Sequence, residues 1–188
     1  MTRARGRILV ISGDIESGKT TALAKVLEGL LILKVAVRGV ICPPMISDGK
    51  KTAIQIKDLR SNETRLLAEL NSGQPGGIQT TRWKFDEPAL AWGNEILGWA
   101  VPCEVLVIDE LGPLEFLRNE GFTNGLRAVE SGEYLAALVV VRPALVDAAL
   151  QRWPNAAVFS VTRQTQDTIV TDILQTIAAV VQRQASTQ

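Results

Sequence analysis

The chain has 188 residues, 46% hydrophobic and 21% charged, with 20 Lys+Arg balanced by 20 Asp+Glu. That length suits one globular domain, which buries about 70% of its unfolded surface and needs no disulfide or metal to hold it together. The lack of histidine excludes a His-based nucleophile pair, a His general base and a His-bearing zinc site, and the zero net charge argues against a surface that coats nucleic acid.

The N-terminus carries Arg3, Arg5 and Arg7, but the apolar run behind them, Ile8 to Ile11, is too short for a signal-peptide core. That run ends at Ser12-Gly13, which predicts a strand closing in a turn. From Gly18 onward Leu23, Val26, Leu27, Leu30 and Leu31 recur at three- and four-residue spacing and predict an amphipathic helix. Val35 to Cys42 reads as a strand stopped by Pro43-Pro44. The period then changes to two, and turns at 47–51 and 60–63 make Ile46 to Leu70 antiparallel hairpin structure. The chain is thus expected to be a single domain over 1–188 with an antiparallel insertion at 43–82.

Asn71 to Gly77 is a Gly/Pro-rich loop, and Asp86-Glu87-Pro88 opens a helix with Asp86 as N-cap. Val105 to Ile108 is four aliphatics in a row, a strand buried on both faces. A helix is expected over Gly121 to Val129, a second buried strand over Leu135 to Val141, a helix opening at Pro143, and a last strand over Val158 to Val161. Ile169, Ile173, Ile177 and Val181 stripe a final helix. This alternation predicts an α/β fold with a mainly parallel sheet and helices on both faces. No stretch approaches the roughly eighteen apolar residues of a membrane span. Cys42 and Cys103 fit isolated reduced thiols, so a cytoplasmic protein is expected, as a monomer or weak oligomer with no membrane partner.

Gly13-Asp14-Ile15-Glu16-Ser17-Gly18-Lys19-Thr20-Thr21 matches the phosphate-loop pattern G-x-x-x-x-G-K-[ST], with a strand before it and a helix after. The glycines let consecutive N–H groups point inward at an anion, and the following helix turns its N-terminus to the same phosphates. Lys19 is placed to reach the β- and γ-phosphates, and Thr20 to ligate Mg²⁺. Such a loop needs a second acidic group on the metal. Val105 to Ile108 delivers Asp109 to the end of its strand for that role. Glu110 follows and is the candidate to polarise an attacking water. Arg142 and Arg163 follow two other strands at the same sheet edge and are candidates to touch phosphate or stack on a base. Trp83, in Arg82-Trp83-Lys84-Phe85, is a further candidate to flank a nucleotide.

Gly13 to Thr21, the Asp48-Gly49-Lys50 hairpin, Ile54 to Leu59, Leu66-Leu67-Ala68, and Val107-Ile108-Asp109-Glu110-Leu111-Gly112-Pro113-Leu114-Glu115 together resemble the small thermophile-type nucleoside-triphosphatases, which have a human cancer-related relative. The resemblance runs over nearly the whole chain. It implies a RecA-like phosphate-loop sheet and Mg²⁺-dependent hydrolysis of ATP, GTP and other triphosphates with weak base selectivity. Carried onto this sequence, Gly13 to Thr20 is the phosphate loop and Leu106 to Pro113 the second nucleotide-lining segment. Two segments depart from the family pattern. Ile41-Cys42-Pro43-Pro44-Met45 replaces a Thr-x-Glu-Val-Arg-like stretch, and Arg82-Trp83-Lys84-Phe85-Asp86 replaces an aromatic-Gly-Lys-Tyr-like one.

Two other classes stay open at this level: a small phosphate-loop kinase with an acceptor hydroxyl, and a nucleotide-dependent switch or cofactor-assembly accessory. No Arg-rich lid is evident for the first, and no Asn-Lys-x-Asp string marks a dedicated GTPase.

Overall fold

The computed structural model describes residues 6–15 and 17–186; Glu16, Arg3 and Arg5 lie outside the described residues. The first half runs β1 (Arg7–Ser12), α1 (Lys19–Ile32), β2 (Val37–Ile41), β3 (Pro44–Ser47), β4 (Lys50–Asp58), β5 (Thr64–Leu70), β6 (Trp83–Phe85) and α2 (Glu87–Gly98). The second runs β7 (Val105–Leu111), α3 (Pro113–Arg118), α4 (Thr123–Ser131), β8 (Ala136–Val141), a 3₁₀ turn (Pro143–Leu145), α5 (Val146–Arg152), β9 (Ala157–Ser160) and α6 (Gln166–Ala185).

All the strands join one sheet in the order β6-β5-β4-β2-β7-β8-β1-β9, with β3 alongside β4. From β2 to β9 every pairing is parallel. Strand β8 separates the loop-bearing β1 from β7, the arrangement expected of a RecA-like sheet. The remaining strands are antiparallel and join the parallel part through β2 and β4. The insertion is therefore an extension of the main sheet, and it runs three residues past the expected end to include β6.

Period-two alternation along β1, β7 and β8 builds two cores, because successive side chains leave opposite faces of a strand. Leu9, Ile11, Val105, Val107, Leu138 and Val140 pack under α1 and α6, against Leu23, Val26, Leu30, Ile173 and Ile177. Val10, Leu106, Ile108, Ala137, Val139 and Val141 pack under α2, α4 and α5. Helices thus cover both faces, as the alternation of elements predicts.

Several elements differ in detail from expectation. Leu31, assigned to the apolar stripe of α1, is 78% exposed, because the buried stripe runs through Leu23, Val26 and Leu30 and Leu31 falls outside it. The helix expected over Gly121 to Val129 starts at Thr123. Gly121 takes a positive φ of 70° in the turn before it, where a left-handed backbone suits glycine. Pro143 opens a 3₁₀ turn that hands over to α5. Helix α3 is six residues long and carries too few turns for a visible apolar period. Asp86 caps α2 as expected, accepting from the Ala89 N–H at 2.8 Å.

Candidate functional site

The parallel strands β1, β2, β7, β8 and β9 all end on one edge of the sheet, where ligands bind in open α/β folds. After Ser12 the backbone turns at Gly13. A Cβ there would stand 2.4 Å from the Val161 carbonyl and 2.5 Å from Ser17 Oγ, so the turn has no room for a side chain. Gly18 has φ 95° and is the N-cap residue of α1. It supplies no capping side chain, and no acidic residue stands in the first turn. Among the described residues no side chain caps the N–H groups at this helix end, which can therefore receive an anion.

Lys19 folds back over its own loop, and its Nζ donates to the Gly13 and Asp14 carbonyls, each at 2.7 Å. Burial lowers its pKa, opposed chiefly by the negative charge of Glu110. Thr20 is half-buried at the start of α1, while Asp14, Ile15 and Thr21 are exposed. Gln166, at the head of α6, donates from Nε2 to the Gly18 carbonyl at 2.8 Å and so fixes the loop's exit.

Asp109 is 3% exposed, and its Oδ2 accepts a 3.1 Å bond from the Cys42 N–H. Burial pushes its pKa from 3.8 up to about 6, and that backbone donor opposes the rise. Pairing between β7 and β8 steps from Asp109–Val140 to Leu111–Val141, which leaves Glu110 as the extra residue of a β-bulge. The bulge lets both carboxylates line one pocket, together with Thr20 and Arg142. Arg142 leaves the end of β8 and donates from Nε to Glu110 Oε1.

Sequence reasoning thus places Gly13, Gly18, Lys19, Thr20, Asp109, Glu110 and Arg142 at one site, and the structure brings them together at this edge. Arg163 is exposed in the turn before α6 and does not line the pocket. Trp83 is 5% exposed in β6 and forms a far wall of the pocket, away from the phosphate loop.

Two side chains join the site without having been singled out for it, and a third, Glu115, ends the string that carries the family resemblance. Gln166 gave no signal in the sequence. Lys51 reaches the pocket from β4, half-buried, with its Nζ 5.2 Å from the centre of the Trp83 ring. Glu115 is 6% exposed and accepts from the Gly112 N–H at 2.7 Å and the Phe122 N–H at 2.8 Å, so it ties down the chain after β7. The Gly-x-x-Glu spacing at the head of α3 is a readable capping signal for this clip.

Among the described residues no group of three or more His, Cys, Asp or Glu could hold a metal by itself. One buried carboxylate beside one hydroxyl is instead the sparse donor set that suits Mg²⁺, which keeps waters and shares its shell with phosphate oxygens. Among the described residues, no helix is long and apolar enough to cross a membrane.

The profile of a family described as NTPase matches residues 8–174. The nucleoside-triphosphatase THEP1 of Methanopyrus kandleri is 28% identical over 172 residues, covering 89% of this chain and 93% of that protein. The nucleoside-triphosphatase THEP1 of Thermofilum pendens is 24% identical over 177 residues, covering 93% and 97%. Among solved structures, a human cancer-related nucleoside triphosphatase superposes with a TM-score of 0.70 at 22% identity, over 93% of this chain and 98% of the other. THEP1 from the hyperthermophile Aquifex aeolicus superposes with a TM-score of 0.61 at 17% identity, over 90% and 98%. These two likenesses establish the fold.

Proposed function

The chain belongs to the NTPase family, and from that premise we propose that it is a Mg²⁺-dependent nucleoside-triphosphatase that accepts ATP, GTP and other triphosphates with little base selectivity. Hydrolysis to a nucleoside diphosphate and phosphate follows from the family and from the nucleoside-triphosphatases that resemble the chain over most of their length. The observation that carries the residue assignment is the meeting of Thr20, Asp109, Glu110 and Arg142 in one pocket at the strand ends.

The Gly13–Thr20 loop holds the triphosphate through its N–H groups and the start of α1. Lys19 exchanges its two loop carbonyls for β- and γ-phosphate oxygens. Thr20 and Asp109 would hold Mg²⁺, which when bound would supply charge that neutralises those oxygens. A bound cation also explains why the fold retains a buried carboxylate that is otherwise costly to ionise.

Glu110 orients and polarises the attacking water, accepting its proton. Its ion pair with Arg142 fixes the carboxylate's position in the pocket, and the guanidinium lies where a terminal phosphate can also draw on it. Base tolerance is supported by the nature of these contacts, which run to phosphate and carry no base information. The free thiols Cys42 and Cys103 suit a reducing cytoplasm.

The test is Glu110→Gln, assayed for phosphate release and for nucleotide affinity in the same preparation. The amide is nearly isosteric, so affinity should hold while turnover falls roughly 10²–10⁴-fold, the usual weight of a positioned general base. Turnover within a few-fold of the parent would remove Glu110 from the role.

A further inference from the structure

The pocket that begins at the carboxylates does not end there. It holds about 90 Å³ of space open to water, and apart from Thr20 no described residue of the phosphate loop lines it. Its walls are Ile54, Leu67, Trp83, Phe85, Leu90 and Phe122, all apolar, contributed by the antiparallel extension, by α2 and by the turn before α4. Hydrolysis needs one water beside Glu110, and a cavity needs only about 10–15 Å³ of such space to hold one. A chamber of this size, walled in part by aromatic side chains, exceeds that need and is small beside drug-sized sites of roughly 300–1,000 Å³, so it suits an acceptor of a single ring.

Among the described residues Lys51 is the chamber's one lysine, in a polar lining that also includes Thr80 and the buried Glu115. It makes no ion pair among the described residues, and its ammonium rests over the Trp83 ring. The charges of Glu110 and Asp109 act on it more strongly than any other charges do. It reaches the chamber through an irregular pairing. Between β3 and β4 the register shifts at Met45/Ile46, so Lys51 and Ile54, three residues apart, line the same pocket instead of facing opposite ways.

We propose that this chamber is an acceptor site: it binds a planar aromatic or heteroaromatic alcohol beside the terminal phosphate, and the enzyme transfers phosphate to that alcohol, with water as the acceptor when the chamber is empty. The apolar walls take the ring, and Lys51 takes a polar substituent on it. The hydroxyl stands at Glu110. Its oxygen bonds to the γ-phosphorus while the bond from that phosphorus to the β,γ-bridging oxygen breaks. The electron pair leaves with the nucleoside diphosphate, and the hydroxyl proton passes to the Glu110 carboxylate. This activity rests on the hydrolytic reading, because it uses the same carboxylate and the same bound triphosphate.

The experiment follows the fate of the γ-phosphate by phosphorus NMR in reactions with ATP and Mg²⁺, adding benzyl alcohol or, at equal concentration, ethanol. The ratio of phosphate ester to inorganic phosphate should be at least roughly tenfold higher with benzyl alcohol, the worth of seating one ring in an apolar site. Ile54→Trp fills the chamber and should lower that ratio about tenfold. Because both products come from one sample, a loss of folded protein cancels from the ratio. Inorganic phosphate as the sole product with either alcohol would overturn the proposal, as would an ester ratio that Ile54→Trp leaves unchanged. Failure to release phosphate without any alcohol would overturn the hydrolytic reading instead.

Discussion

Replacing Asp109 with asparagine should stabilise the metal-free protein while abolishing its turnover. The carboxyl is 3% exposed, and burial raises its pKa from 3.8 to about 6. Between those values the folded chain holds a proton that the unfolded chain has released. Stability therefore falls as pH rises through this window and levels off above about 6. A rise of that size corresponds to about 3 kcal/mol of lost stability at pH 8. The substituted amide would carry no charge to desolvate, and its carbonyl oxygen can still accept from the Cys42 N–H. For a domain of this size the gain is worth roughly 5–10 °C in Tm. Thermal unfolding followed by circular dichroism, without Mg²⁺, measures it directly. At about pH 5 the gap should shrink to roughly half, because the native carboxyl is then mostly protonated. Mg²⁺ with ADP should narrow the gap at pH 8, since the parent alone gains a strong ligand for the cation. A variant no more stable than the parent at pH 8, or a gap that does not shrink on acidification, would refute the reasoning.

Four further outcomes are expected. Lys19→Ala should reduce phosphate release to background with the fold retained by circular dichroism, because no other loop side chain places a cation on the β- and γ-oxygens. Arg142→Ala should lower turnover roughly 10–100-fold in steady-state assays, by freeing Glu110 and removing a charge from the terminal phosphate. ATP and GTP should be hydrolysed within about tenfold of each other, a spread of about 1.4 kcal/mol, and a hundredfold preference in a panel assay would demand a base-reading pocket. Glu115→Gln should cost about 1–3 kcal/mol in denaturant unfolding, because one amide oxygen cannot replace two carboxylate oxygens toward the Gly112 and Phe122 N–H groups.

The parallel half of the fold is legible because its signals are local. Ile8 to Ile11, Val105 to Ile108 and Leu135 to Val141 are continuous aliphatic runs, as strands buried on both faces require, and each occurs as a strand sandwiched between two helical layers. The candidate phosphate loop is legible for the same reason: glycine, lysine and threonine must occupy fixed positions along the eight residues from Gly13 to Thr20. Asp109 could be placed at the sheet edge because it ends such a run. How Glu110 shares its pocket could not be read. That depends on a bulge opposite Val140 and Val141, on a strand that lies thirty residues away in the chain.

The antiparallel extension marks the boundary of what local signals carry. Period-two alternation identified hairpins over Ile46 to Leu70, but alternation within a strand says nothing about which neighbour it pairs with. Here β4 pairs with β2, so the extension becomes the wall of the nucleotide edge and brings Lys51 and Trp83 to it. The departures from the family pattern fall at this wall: Ile41 to Met45 leads from β2 into β3, and Arg82 to Asp86 contains β6. Cys42 gives its backbone N–H to Asp109, a contact that requires no particular side chain at that position. Substitution there can therefore keep the carboxylate in place while reshaping the chamber beside it. On the proposed assignment phosphate contacts belong to the loop between β1 and α1, which leaves the extension free to vary in the chemistry it presents to the γ-phosphate. That division predicts that exchanging residues of β4 to β6 alters what receives the phosphate and leaves triphosphate affinity within a few-fold of the parent, measured by nucleotide titration. An affinity that fell with those exchanges would show that the extension binds the nucleotide itself.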